Sequence, residues 1–268
     1  MNQTTVREIS EITRRLMIEN DFAADAPDAV EDAARSLEQK SLASFSNPSV
    51  RDLRSLLWSS IDNKTSRDLD QIEYAERLQD GDIKLLVGIA DVDALVAKNS
   101  IIDRFAYKNT ISIYAPHSVF PMLPETLSND LTSLRAGVDR LAVVTEMIVR
   151  ADGDVSTSDV YRALVRNHAK FSYEEIGAWL DEDAAPPEEF ELIAEMKAQI
   201  LLQKETAERL YKLRKKKGAL EFETIESATV VENGAITGIK GESRSNAARE
   251  IIENFMIAAN VEMAEFLD

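Results

Sequence analysis

"SSIDNKTSRDLDQIEYAERLQDGDIKLLVGIA", residues 59–90, decides how this chain is read. Its second half is a hairpin written in sequence. Ile72–Leu78 and Ile83–Ala90 flank Asp80-Gly81, a dipeptide suited to the tight turn between two antiparallel strands. Its first half places Asp62, Asp68 and Asp70 within nine residues, between the apolar run Leu56-Leu57-Trp58 and the strand-like alternation of Ile72-Glu73-Tyr74-Ala75. Carboxylates this close repel one another unless solvent or a cation separates them.

The hairpin signature recurs twice. Arg140–Val149 and Val155–Val165 flank Asp152-Gly153, and Thr229–Glu232 and Ala235–Ile239 flank Asn233-Gly234. Around these strands the apolar residues recur with helical period. Val6, Ile9, Ile12, Leu16 and Met17 share one face of a helix over 5–20, capped by Thr4 or Thr5. Pro27 and Asp28 open a second helix over 27–42, and Asn47-Pro48 breaks the chain after it. Pro187–Lys216 reads as one long helix with Phe190, Ile193, Ile200, Ala207 and Leu210 inward. Ser245 or Asn246 starts a last helix with Ile251, Ile252, Phe255, Met256 and Ala259 on its buried face. The expected fold class is α+β, a mixed or antiparallel sheet with packed helices, with a small helical region at 1–55 ahead of the domain at 56–268.

The chain has 268 residues, 44% hydrophobic and 29% charged, the composition of a soluble globular protein. It contains no cysteine, no apolar run long enough for a membrane span and no signal-peptide layout at its start, so the expectation is a cytoplasmic protein. A net charge of −17 argues against broad, non-specific attachment to nucleic acid but leaves room for a local basic channel. Nine acidic residues and no Lys or Arg lie between Glu174 and Glu195, which reads as a solvated loop. Six basic residues fill "RLYKLRKKK", 209–217, which reads either as a solvated helix end or as part of an RNA path.

An EF-hand loop would use Asp62, Asp68, Asp70 and Glu73 as positions 1, 7, 9 and 12, but Lys64 and Arg67 fall where an oxygen ligand and a turning glycine are required. A hard-cation site for phosphoryl chemistry suits the residues better. Oxygen-only ligands favour Mg²⁺ or Mn²⁺, and Asp68 and Asp70, two apart on an extended chain, project to one side. Spacing alone also admits a solvated acidic loop.

Seven ordered blocks, "SSIDNKTSRDLDQIEYA", "LLVGIADVDALV", "SIYAP", "FPMLPETLSNDLTSL", "DRLAVV" and the downstream "GALEF" and "REIIENFMIAANVEMAEFL", together carry a resemblance. From about Leu53 to Asp268 the chain resembles the first part of the catalytic domain of the ribonuclease II/ribonuclease R (RNB) family. The resemblance implies a processive 3′→5′ exoribonuclease that hydrolyses single-stranded RNA to nucleoside 5′-monophosphates with Mg²⁺ (or Mn²⁺). By position it implies Asp62, Asp68 and Asp70 as metal ligands, with Asp70, beside Asp68, tied most closely to the chemical step. It further implies Tyr114 and Phe222 as a stacking pair for the terminal base and Glu253 as a carboxylate near the terminal nucleotide. Stacking between two rings holds any base without reading sequence.

The chain also departs from that pattern. Gln71 stands at the fourth acidic position, Asn109 where an arginine is common, and Asn254 where glutamate is usual. Residues 1–55 do not resemble paired cold-shock domains. The family's arginine-bearing serine-proline-isoleucine-arginine motif and its S1 domain are not in this sequence, and the chain stops at an apolar helix. The implied partners are single-stranded RNA and a further C-terminal segment of the same protein, without which hydrolysis is expected to be slow or absent. The alternative is a non-catalytic RNA-binding or interaction protein derived from the family. Neither His117 nor His168 reads as catalytic.

Overall fold

The computed structural model describes residues 5–37, 49–115, 118–182, 184–220, 225–232, 235–243 and 246–268. They fall into two compact units. One takes residues 1–42, 93–131 and 223–244, and the other takes residues 43–92, 132–222 and 245–268.

The second unit is built on a six-stranded mixed sheet: β1 (Arg51–Asp52), β2 (Trp58–Asp62), β3 (Gln71–Arg77), β4 (Ile83–Ala90), β7 (Asp139–Val149) and β8 (Val155–Ser172). Gly81 and Gly153 adopt φ of +88° and +90°, the left-handed turns expected of the two Asp-Gly hairpins. The order β1-β8-β2-β3-β4-β7 closes on itself because β8 also pairs β7. Such closure protects the edges that an open sheet exposes. It depends on parallel pairing of β2 with the far half of β8, from Trp58↔Asn167 to Asp62↔Ser172.

One face of this sheet packs Trp58, Ile72, Leu86, Leu134, Ala142, Val144, Ala163 and Val165 together. The Trp58 indole nitrogen donates to the Leu53 carbonyl at 2.9 Å, so the ring is buried without an unpaired donor. The other face lies under helices α4 (Tyr173–Asp181), α5 (Glu189–Leu192), α6 (Met196–Lys216) and α7 (Ala247–Leu267). There Ile61, Leu85, Val87, Met147 and Phe171 meet Ile176, Met196, Ile200, Ile251 and Phe255.

Two readings of this region change. The acidic stretch contains helix α4, with the Ser172 hydroxyl accepting from the Glu175 N–H and Glu174 and Glu175 in the first turn, where the helix dipole favours negative charge. The long helix from Pro187 is broken: α5 ends at Leu192, and α6 starts at Met196. Phe190 packs edge-on to Phe171 and Trp179, and Met196 is fully buried. Six residues apart on one continuous helix, the two side chains would point about 120° apart, so the break lets both reach the core.

The first unit contains α1 (Val6–Glu19), α2 (Asp28–Arg35), α3 (Ile101–Asn109), the hairpin β5 (Ile113–Ala115) and β6 (Ser118–Phe120), a π-helical turn at Leu127–Leu131, and the hairpin β9 (Ile225–Glu232) and β10 (Ala235–Ser243). Thr5 and Glu8 form a reciprocal capping box at the start of α1. The second helix is shorter than 27–42, ending at Arg35 before a turn. The N-terminal helices are joined to later segments: the Asn109 amide accepts from Ala23 N–H at 2.9 Å and donates to Ala23 carbonyl at 3.1 Å. Asn109, where an arginine was the expectation from resemblance, is thus a buried tie between α3 and the link from α1 to α2.

Candidate active site

Asp62 is the last residue of β2, and Gln71 the first of β3, so the aspartates occupy the connection between two paired strands. Strands on both sides of the loop agree with the rejection of an EF-hand. One Asp62 carboxylate oxygen accepts from the Asn63 N–H at 2.6 Å and the Ser66 hydroxyl at 2.9 Å. The Lys170 ammonium donates to the carbonyls of Lys64 and Ser66 at 3.0 and 2.7 Å. The Ser133 hydroxyl accepts from the Leu69 N–H at 3.1 Å and donates to the Arg67 carbonyl at 2.7 Å. Leu69 itself is buried and its carbonyl accepts from Leu134 N–H at 2.8 Å. The loop is therefore held from both sides, with buried Leu69 separating half-buried Asp68 from exposed Asp70.

The Asp70 carbonyl accepts from Ala90 N–H at 2.9 Å, tying this residue to the end of β4. Its side chain reaches solvent but is closely surrounded by protein, and that crowding, followed by the charges of Asp62 and Asp68, raises its carboxyl above the ordinary aspartate value.

Among the described residues, no three His, Asp or Glu side chains converge closely enough to cage an ion. The donor chemistry fits a hard cation in kind, because the candidate ligands all present oxygen. A magnesium-type ion characteristically takes only one or two carboxylates from a protein and completes its shell with water and substrate phosphate. This loop supplies an open, partial set of that type.

Sequence reading missed Glu73. Its alternation with Ile72 and Tyr74 suggests a solvent-facing position, but it is fully buried, because helix α6 covers the face of β3 that carries it. Neither carboxyl oxygen has a hydrogen-bond partner among the described residues, and burial, then Asp70 and Asp62, hold the group well above the usual glutamate range. Gln71, two residues earlier on the strand, donates to the Ile61 carbonyl at 3.1 Å.

The remaining candidates are placed individually. Glu253 lies on the exposed side of α7 and pairs with Arg214 of α6 at 3.3 Å. This contact brings the basic run to one of the predicted residues. Arg209 is instead largely buried, donating to the Gly81 carbonyl at 3.1 Å through both terminal nitrogens. It anchors the helix, so the run is not uniformly a solvated end. Tyr114 sits on β5 opposite Val119, with its ring 66% exposed, in the other unit from the aspartates. Phe222 and His117 lie outside the described residues. The His168 ring nitrogen is 3.1 Å from the Arg54 carbonyl, a structural contact.

The aspartate loop thus lies on a strand connection of a closed mixed sheet backed by helices. The RNB domain family matches residues 50–268, and the chain belongs to that family. It is 36% identical to ribonuclease R of Vibrio parahaemolyticus over 222 residues, 81% of this chain and 26% of that protein. It is 35% identical to ribonuclease R of Mycoplasma pneumoniae over 253 residues, 94% of this chain and 34% of that protein. The structure matches that of Mycoplasma genitalium RNase R in complex with ribose methylated single-stranded RNA with a TM-score of 0.86 and 29% identity, covering 97% of this chain and 40% of that one. The chain spans about a quarter to a third of the length of these curated relatives.

Proposed function

We propose that the chain carries the metal-binding part of a 3′→5′ exoribonuclease that hydrolyses single-stranded RNA to nucleoside 5′-monophosphates. The observation that carries this reading is the braced loop presenting Asp62, Asp68 and Asp70 in a chain of the RNB family. In it Asp62, Asp68 and Asp70 hold Mg²⁺ or Mn²⁺, which when bound polarises the scissile phosphate and lowers the pKa of a bound water. The chain's own part is positional. Lys170 and Ser133 fix the loop backbone, Asp70 is held to β4, and the carboxylates supply the negative field that draws the ion. Tyr114, and Phe222 with it, would stack on the terminal base, and Glu253 would lie near the terminal nucleotide. Arginine-type stabilisation of the phosphate, which can amount to several kcal/mol, would come from a C-terminal segment of the same protein. Hydrolysis by residues 1–268 alone is accordingly expected to be slow.

A second reading, an RNA-binding member without catalysis, is favoured by the lack of three convergent carboxylates among the described residues. Titration with Mn²⁺, followed by electron paramagnetic resonance of the free ion, separates the two. The catalytic reading expects binding that Asp70→Asn weakens at least tenfold. Equal affinity in the two proteins would remove the cation from this loop.

A further inference from the structure

Strand β3 runs out of a neighbour on one side. Its pairing with β2 is confined to Ser59↔Glu73, whereas its pairing with β4 continues from Gln71↔Ile89 to Arg77↔Ile83. Just before Trp58 the chain turns away, with Trp58 N–H donating to the Leu56 carbonyl. Both backbone groups of Ala75, two residues beyond Glu73, would then be buried without a partner, at a cost of roughly 1–3 kcal/mol each. Helix α6 fills the gap. The Gln199 amide oxygen accepts from Ala75 N–H at 3.0 Å, and its nitrogen donates to the Ala75 carbonyl at 2.7 Å. One turn further along, the Gln203 amide nitrogen donates to the Ser59 hydroxyl at 3.2 Å and, more weakly, to the Glu73 carbonyl at 3.4 Å. The two side-chain amides continue the β2 ladder at the place where β2 leaves it.

We propose that Gln199 and Gln203 are positioning residues for the candidate site, keying helix α6 in register to β3, the strand that begins immediately after Asp70. The physical basis is directional. A helix packed only by Ile200, Ala207 and Leu210 can slide along a sheet at small cost, since apolar contact has no preferred register. The half-buried Gln199 amide, bonded to the Ala75 backbone, and the buried Gln203 amide, bonded through its nitrogen to Ser59 and Glu73, reduce that freedom, because each displaced bond leaves a buried strand group unpaired. Glu73 lies three residues from Asp70, so the clamp acts on the strand close to its acidic end. Arg209, which holds the same helix to Gly81 at the β3–β4 turn, acts at the opposite end of the strand. The inference rests on the reading of Asp62, Asp68 and Asp70 as a cation site.

The test compares Mn²⁺ affinity in the wild-type chain, Gln203→Met, the milder Gln199→Met, and Arg209→Met, each well below its own melting temperature. Gln203→Met is expected to weaken Mn²⁺ binding about tenfold, the lower end of the range for residues that support metal ligands. Arg209→Met should lower the melting temperature and leave affinity unchanged. If Gln203→Met does not stay folded, Gln199→Met decides, with a smaller loss in the same direction. Unchanged affinity in the glutamine variants, or an equal loss in Arg209→Met, would overturn the positioning role. Absence of Mn²⁺ binding by the wild-type chain would overturn the cation reading and this inference with it.

Discussion

Asp70→Asn is expected to reduce the release of nucleotides from single-stranded RNA by roughly 10²–10⁴-fold, measured with the chain in molar excess over a labelled oligonucleotide. The range follows from the several kcal/mol that a bound cation contributes to phosphoryl transfer, at about tenfold per 1.4 kcal/mol. Asparagine preserves the size of the side chain and removes the charge. The backbone bond from Ala90 N–H to the residue 70 carbonyl needs no side chain, so the loop should keep its path. Removing a charge from a crowded group whose neighbours repel it should also raise the melting temperature slightly. A slower but more stable protein is the joint signature. A variant that loses activity by unfolding would show the opposite shift, and one with wild-type rate would place the chemistry elsewhere.

The second large effect concerns Glu73. In the unfolded chain this side chain ionises near the ordinary value of 4.5, whereas in the folded chain burial, with Asp70 and Asp62, keeps the proton on to much higher pH. The folded state therefore binds more protons than the unfolded state between those two values. Stability must fall as pH rises through that window, by up to about 1.4 kcal/mol per pH unit, and must be independent of Glu73 below it. Glu73→Gln has nearly the same shape and no proton to lose. It is expected to be more stable than the wild-type chain at pH 7 to 8, to match it near pH 4, and to show a shallower decline between. Chemical denaturation across that pH range provides the measurement. A variant no more stable at pH 8, or one with the wild-type slope, would show that Glu73 finds a compensating partner when ionised.

The fold was legible where local chemistry decides it. Asp80-Gly81 and Asp152-Gly153 announce their hairpins because the turn needs a residue tolerant of positive φ, a property of the dipeptide itself. The closure of the sheet was not legible. It depends on Ser59 meeting Ala169 and Ile61 meeting Phe171, more than 100 residues apart, and no local pattern encodes a parallel pairing at that distance. The burial of Glu73 was not legible for a related reason. Alternation reports which residues share a face, but whether that face meets water depends on α6, a helix supplied far downstream. A signal for the glutamine clamp was present: Gln203 stands three residues after Ile200 and four before Ala207, on the inward face, and a polar residue there must find a partner. The aspartate loop was legible as a cluster. Its brace by Ser133 and Lys170 was not, since each comes from a strand or loop remote in sequence.

The most direct test of the proposed function follows a 5′-labelled single-stranded RNA incubated with Mg²⁺ and an excess of the chain supplied with the C-terminal segment proposed to hold the phosphate. The account predicts stepwise shortening from the 3′ end, nucleoside 5′-monophosphates as the released product, and loss of both with Asp70→Asn. RNA that is bound but never shortened, fragments from internal cuts, or shortening that survives Asp70→Asn would contradict it.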